Sequence, residues 1–350
     1  EEARELTGAD RVGLRSDGAV ISMAREGYLC RIHIGRTRFA AKLKPEDLGL
    51  DPKDPAAQKV VSQYISLGEK FLLPAEVLRP QEAPPRLCTL EERVALIGAC
   101  YIDAVLVLQF DEEFARQTPE AFVEQLVRAA APVELVVGDD FRFGRGRSGS
   151  VETLRELGAR HGFDVTVIPR VDLASEPISS TRIRELVSVG SIELAAELLG
   201  RPYSLTGDVI EGHRRGQLLG YPTANLRLID RLAVPADGIY VVQVSIDGSP
   251  ELLPGMAYIG TRPVFQDQQR AIEVHLLDVT LDLYGRRLTV LFVRRLRGDM
   301  WFPSVDALIE QMQADERATR EALAQLREDW PPPLTWAILN LAEGAVSADG

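Results

Sequence analysis

The sequence predicts two domains of different class, an α/β domain on a parallel sheet followed by a small antiparallel β-barrel or sandwich closed by a helix. Residues 88–200 alternate short apolar runs with amphipathic helical periods, as strands joined by crossover helices do. After Arg201-Pro202 the pattern turns to strand-like alternation between Gly, Pro and Asp turns. A length of 350 residues accommodates a core in each half.

In the first half, Thr89 and Glu92 have capping-box spacing ahead of a helix ending near Cys100. AVLVLQF (104–110) reads as a buried strand, and Thr118-Pro119 opens a helix to about Ala130. ELVVG (134–138) and DVTVI (164–168) are strands flanking a helix over 151–162. A helix is expected from Ser179 to Val189, and another capped by Ser191 and ended by Gly200. In the second half Tyr240, Val242, Val244 and Ile246 alternate with other residues, as do Ile272, Val274 and Leu276. RLTVLFV (287–293) is a further strand, and Val305, Leu308, Ile309 and Met312 define a helix face. The expected divisions are 1–200, with 1–75 the least readable part, then 203–330, and a tail at 331–350 beginning with PPP.

A net charge of −12 argues against steering toward nucleic acid, so any phosphate site is local. Cys30, Cys88 and Cys100 form no CxxC, zinc or disulfide spacing, which fits a reducing cytoplasm. Neither a signal-like start nor an apolar run near 18 residues is present, so neither export nor a membrane span is expected.

Residues 204–225, SLTGDVIEGHRRGQLLGYPTAN, hold Gly207, Gly212, Gly216 and Gly220, which let backbone N–H groups approach an anion. Arg214 and Arg215 add charge. Thr223 and Asn225 offer hard oxygen donors suited to Mg²⁺, two residues apart on one strand face. A plain glycine-rich hairpin before an edge strand is the competing reading. On the strand from Ile272, Glu273 and His275 share the face opposite Ile272, Val274 and Leu276, leaving Glu273 free to meet solvent or a cavity.

GDDFRFGRGRSG (138–149) follows a strand, where open α/β sheets bind ligands. Phe141 and Phe143 offer stacking surfaces and Asp140 an acceptor, among Arg142, Arg145 and Arg147; a solvated turn or an RNA contact would use the same residues. ISSTRIRELV (178–187) places Ser179, Ser180 and Thr181 at a helix start with Arg184 one turn on, more donors than one cap needs and suited to a phosphate.

Together these stretches resemble the prokaryotic bifunctional riboflavin kinase/FMN adenylyltransferases, or FAD synthetases, over about 75–330. Gly220-Tyr221-Pro222-Thr223-Ala224-Asn225 matches the G-[FY]-P-T-A-N ending of the kinase loop, followed by PADGIY (235–240), IGTRP (259–263), IEVHLLD (272–278) and DLYG (282–285). Residues 137–144 and 178–184 match V-G-x-[DN]-F-x-F-G and I-S-S-T-x-x-R of the adenylyltransferase module. The resemblance implies a Rossmann-like nucleotidyltransferase fold before the barrel. It implies Thr223 and Asn225 as Mg²⁺ ligands, Glu273 as the base for the ribityl 5′-hydroxyl, and riboflavin, FMN and ATP as substrates.

The match departs from the family in three places. Val264 stands where the family has Thr. The family's G-x-F-D-G-V-H-x-G-H loop has GYLCRIHIGR (27–36) as its counterpart, which keeps His33 and Gly35 but has Cys30 for Asp, Arg31 for Gly and Arg36 for the second His. FLLPAEV (71–77) stands near the place of F-D-P-H-P. Adenylyl transfer needs positive or donor groups where pyrophosphate leaves, and Arg differs from His in reach. The sequence therefore leaves open a two-activity enzyme, a riboflavin kinase with an inactive partner module, and a non-catalytic flavin or nucleotide sensor.

Overall fold

The structure is a computed structural model that describes residues 20–26, 29–35, 81–99, 104–107, 110–173, 176–212, 216, 220–261, 270–279, 281–327 and 330–339. It divides into two compact units: residues up to 84 with 90–180, and residues 85–89 with those from 181 onward.

The first unit is built on a five-stranded sheet of β1 (Val20–Glu26), β2 (Leu29–Gly35), β3 (Ala104–Val107), β4 (Glu134–Gly138) and β5 (Asp164–Ile168). Its order is β3-β1-β2-β4-β5. β2, β4 and β5 run parallel, but β1 is antiparallel to both β2 and β3. The sheet is therefore mixed rather than wholly parallel, because only residues 27 and 28 separate β1 from β2 and so short a link permits a hairpin but no crossover. The helices are α1 (Leu90–Gly98), α2 (Glu112–Ala115), α3 (Pro119–Ala130) and α4 (Val151–His161). Thr118 accepts a hydrogen bond from the Ala121 N–H and Pro119 opens α3, as its sequence predicts. Val123 and Leu126 of α3 meet Leu154 and Leu157 of α4 over Leu135 and Val137 of β4. A two-stranded ribbon, β6 (Asp172–Leu173) and β7 (Glu176–Pro177), ends the unit.

The second unit holds α5 (Ser180–Val189) from Thr181 onward, then α6 (Ile192–Leu199) and a closed six-stranded barrel. Its strands are β8 (Tyr203–Ile210), β9 (Ala224–Leu228), β10 (Gly238–Ile246), β11 (Leu253–Thr261), β12 (Arg270–Leu276) and β13 (Arg287–Arg297), in the order β10-β11-β12-β9-β8-β13. Every pairing is antiparallel. Inside, the rings of Tyr203 and Tyr240 pack against Phe292.

By compactness the units divide at 180/181, with α6 packed on β8 and β13, whereas the sequence places the boundary near 200–203. Residues 85–89 also belong to the barrel unit, where Arg86 bridges to Leu232 and pairs with Asp230. Ser191 precedes α6 but makes no side-chain cap bond, although Gly200 ends the helix in the left-handed region. The PPP stretch does not end the ordered chain. α8 (Pro333–Leu339) follows it and buries Thr335, Ile338 and Leu339, while the Trp330 indole donates to Gln243.

α7 (Val305–Ala324) packs on β10, β11 and β13. Its most buried residues are Asp315, Thr319 and Ala322, whereas Val305 is exposed. The helix is tied down by Arg297 of β13, whose Nε and Nη2 donate to the Asp315 carboxylate at 3.0 and 2.7 Å.

Candidate functional site: a row of side chains on the barrel

β12 lies between β11 and β9. Ile272, Val274 and Leu276 turn into the core, so Glu273 and His275 face away from it, as the alternation predicts. Tyr258 of β11 and Asn225 of β9 stand directly opposite Glu273 on either side. Cross-strand partners of this kind bring their Cβ atoms to about 5 Å, so the three side chains form one row. The Thr223 hydroxyl donates to Glu273 Oε2 at 3.1 Å. Thr223 thus bonds to the Glu273 carboxylate, and Asn225 stands across the ladder from the same residue.

The turn that presents Thr223 is held from several sides. Tyr221 is buried with Met256, Leu277 and Met312, and its hydroxyl donates to Glu316 of α7 at 3.1 Å. Burial, then the bond to Glu316, pushes the Tyr221 phenol up from its ordinary pKa. Glu316 and Asp278 both accept from Arg320. The His275 ring meets Tyr221 edge-on at 5.1 Å, and its Nδ1 lies 2.8 Å from the Pro222 carbonyl oxygen. A carbonyl only accepts, so Nδ1 carries the hydrogen.

Three of the four predicted loop glycines lie beside this turn. Gly216 accepts from the Tyr221 N–H at 2.8 Å, Gly220 takes φ +81°, and Gly212 packs its Cα on the Asn225 amide. Gly207 is instead inside β8, opposite Leu228, where a Cβ would come 2.6 Å from the Arg227 carbonyl oxygen. Its role is close packing of the barrel wall. Arg214, Arg215 and Val264 lie outside the described residues.

The donor set fits Mg²⁺. Thr223 and Asn225 supply hard, neutral oxygens, and a hydroxyl whose hydrogen is given to Glu273 keeps its lone pairs for an ion. Among the described residues no group of three His, Cys, Asp or Glu side chains forms an all-protein metal cage. The arrangement suits an ion that draws its remaining ligands from substrate phosphates and water.

Sequence reasoning missed Tyr258, Tyr221 and His275 as parts of this site. The signal was present for Tyr258: Ala257 and Ile259 are core residues, so Tyr258 stands on the polar face. Its hydroxyl donates to Asp299 at 3.3 Å, and burial with the Asp299 charge pushes the phenol up to about 12.

In the first unit, β2, β4 and β5 present their carboxyl ends along one sheet edge, with Gly35, Gly138 and Ile168 closing the three strands. Ligands bind at such edges. His33 is within β2, paired with Ser22 and Val136, rather than in the loop the family resemblance implies. The hairpin with β1 and the parallel ladder to β4 use its backbone. Asp140 lies just past β4 and is exposed, with Arg170 next to it at 3.9 Å and bonded to Asp139 at 3.3 Å. Phe141 and Phe143 are not displayed for a ligand ring. Both are buried, stack on each other at 5.3 Å and contact the α3 core, Phe143 through Phe122. Their apolar area gains more from that core than from a wet loop.

Ser179 is half-buried, Ser180 is buried at the start of α5, and Thr181 is exposed. The Arg184 Nε donates to the Pro85 carbonyl at 2.7 Å, and desolvation lowers its pKa. FLLPAEV (71–77) lies outside the described residues, as do Gly27, Tyr28 and Arg36 of the 27–36 segment.

A family profile described as riboflavin kinase matches residues 199–323, and one described as FAD synthetase matches residues 71–182. The bifunctional riboflavin kinase/FMN adenylyltransferase of Escherichia coli (strain K12) is 39% identical over 71% of this chain and 79% of that protein. The protein of the same name from Pseudomonas fluorescens is 40% identical over 72% and 80%, and that of Listeria monocytogenes 34% identical over 69% and 76%. A crystal structure described as a macrolide-efflux protein from Streptococcus pneumoniae matches with a TM-score of 0.66 and 29% identity, over 88% of this chain and 95% of that one. With an α/β unit followed in sequence by a barrel that carries Thr223, Asn225 and Glu273, this chain belongs to the bifunctional riboflavin kinase/FMN adenylyltransferase family of flavin-cofactor biosynthesis.

Proposed function

We propose that the barrel unit phosphorylates riboflavin to FMN with ATP, using Glu273 as general base. The ribityl 5′-oxygen attacks the γ-phosphorus and the bond to the bridging oxygen of ADP breaks, while the hydroxyl proton passes to the Glu273 carboxylate. The observation that carries this reading is the Thr223–Glu273 hydrogen bond, with Asn225 paired across the ladder from Glu273. Thr223 and Asn225 would hold Mg²⁺. When bound, the ion supplies positive charge to the phosphate oxygens. Gly212, Gly216 and Gly220 keep the neighbouring backbone open to those phosphates.

The α/β unit transfers AMP to FMN: a phosphate oxygen of FMN attacks the α-phosphorus of ATP and pyrophosphate leaves. The FAD synthetase match and the shared carboxyl edge of β2, β4 and β5 support this. His33 is the candidate for meeting charge on the leaving pyrophosphate. Gly35, Asp140, Ser179 and Ser180 are that unit's candidates for holding nucleotide and flavin. The substrates are small molecules, and the net charge of −12 disfavours nucleic acid. No helix among the described residues is long and apolar enough to cross a membrane. Such substrates and scattered cysteines accord with work in the cytoplasm.

Incubation with riboflavin and Mg-ATP, followed by chromatography, is expected to yield FMN and then FAD. Glu273→Gln and Asn225→Ala abolish FMN formation yet still convert supplied FMN to FAD. Near-normal riboflavin phosphorylation in both variants overturns the kinase assignment, and no FAD from FMN overturns the second activity.

A further inference from the structure

The β9–β12 ladder pairs Asn225 with Glu273 and Ala224 with Val274. Thr223 lies one step further, before the first residue of β9, so its position is set by something other than the recorded ladder. His275 is at the matching step on β12. Its imidazole reaches the turn there, with Nδ1 2.8 Å from the Pro222 carbonyl oxygen. Pro222 has no N–H to contribute to a ladder, and its carbonyl is the group that meets the imidazole. The plane of the imidazole is in turn restrained by the edge of Tyr221, at 5.1 Å and 61°. Tyr221 is anchored through its hydroxyl to Glu316 of α7.

We propose that His275 is a positioning residue of the phosphoryl-transfer site: its Nδ1–H, bonded to the Pro222 carbonyl, continues the sheet beyond its last backbone pair and aims the Thr223 hydroxyl at Glu273. This rests on the reading of Thr223 as a ligand of the nucleotide-bound metal. His275 touches neither reacting group; it acts through the turn. Its effect falls on the nucleotide side, because Thr223 and the glycines lie toward β9, whereas the opposite flank of Glu273 is β11.

The test compares His275→Ala with His275→Asn, because the Asn amide nitrogen can occupy the place of Nδ1 and donate to the same carbonyl. Steady-state kinetics at varied ATP and varied riboflavin are combined with Mn²⁺–ADP binding in the absence of riboflavin, read from the free Mn²⁺ signal. His275→Ala is expected to lower kcat/KM for ATP about tenfold, the scale of one hydrogen bond, with a smaller rise in riboflavin KM and more free Mn²⁺. His275→Asn restores each to within about threefold, since the donor is regained. An Asn variant as damaged as the Ala variant overturns the proposal, as does an equal loss on the riboflavin side. Thr223→Val separates the two levels. If it leaves Mn²⁺–ADP binding and ATP kinetics intact, the metal-ligand reading itself falls; if it impairs both and His275→Ala does not, only the role of His275 falls.

Discussion

Gly212 lies against the side chain of Asn225, so close that a Cβ on the glycine would come 1.9 Å from the amide nitrogen. The obstructed group is the end of a flexible side chain, so Gly212→Ala turns the amide aside without breaking the fold. We expect riboflavin phosphorylation to fall at least tenfold, with the denaturation midpoint close to that of the parent, measured by FMN formation and urea titration.

Asp315 makes the opposite kind of prediction. Its carboxylate is 6% exposed and accepts from Arg297, while Gln311 donates to it at 2.9 Å. Asp315→Ala leaves a mostly buried guanidinium without its partner, which costs about 3 kcal/mol. In a two-unit chain this appears as a shift in the barrel's unfolding step, not in that of the α/β unit. Resolved urea transitions check it.

Phe143 tests whether the 138–149 loop uses its rings for ligand or core. As a core residue it loses about 3–5 kcal/mol on substitution by Ala, while Phe143→Leu keeps most of the volume and costs less than about 1.5 kcal/mol. FAD formation should follow that stability order. Activity abolished in a stable Phe143→Leu protein would show the ring at work on a ligand.

Tyr258 makes stability depend on pH in the alkaline range. Its folded pKa is pushed up to about 12, above the ordinary phenol value of about 10. Below pH 10 the phenol is protonated whether folded or unfolded, so its stabilising share is complete. Between about 10 and 12 the unfolded chain gives up its proton first, so stability falls as pH rises. Urea midpoints at pH 9 and pH 11 should therefore drop more for the parent than for Tyr258→Phe.

Much of the barrel was legible because local pattern and tertiary role agree there. Ile272, Val274 and Leu276 alternate into the core, and that alternation frees Glu273. Thr223 and Asn225 were legible for the same reason, two steps apart on one face. Elsewhere a local reading met a long-range fact. Phe141 and Phe143 look like a ligand platform only until the α3 core that covers them is known. Nothing local in the sequence joins Asp315 to Arg297, because that partner belongs to a strand. PPP reads as a stop, yet proline is well suited to a helix start, and α8 begins at Pro333. His33 was read as a loop residue because β1, which turns its segment into a hairpin, had no periodicity of its own to reveal it.

The bridge from Arg86 to Leu232 makes the barrel unit discontinuous in the chain, with residues 90–180 intervening between two of its parts. During synthesis Arg86 leaves the ribosome well before Asp230, its partner 144 residues later. The 85–89 segment must wait, unpaired, while the intervening unit acquires its own core. Joining the two ends of so long an intervening loop adds only slowly to the entropic cost as the loop lengthens, so an early-folded intervening unit serves as the tether that shortens the search. A kinase fragment started at residue 203 would lack this segment and α6 alike, and would leave the Leu232 side of the barrel without its natural cover.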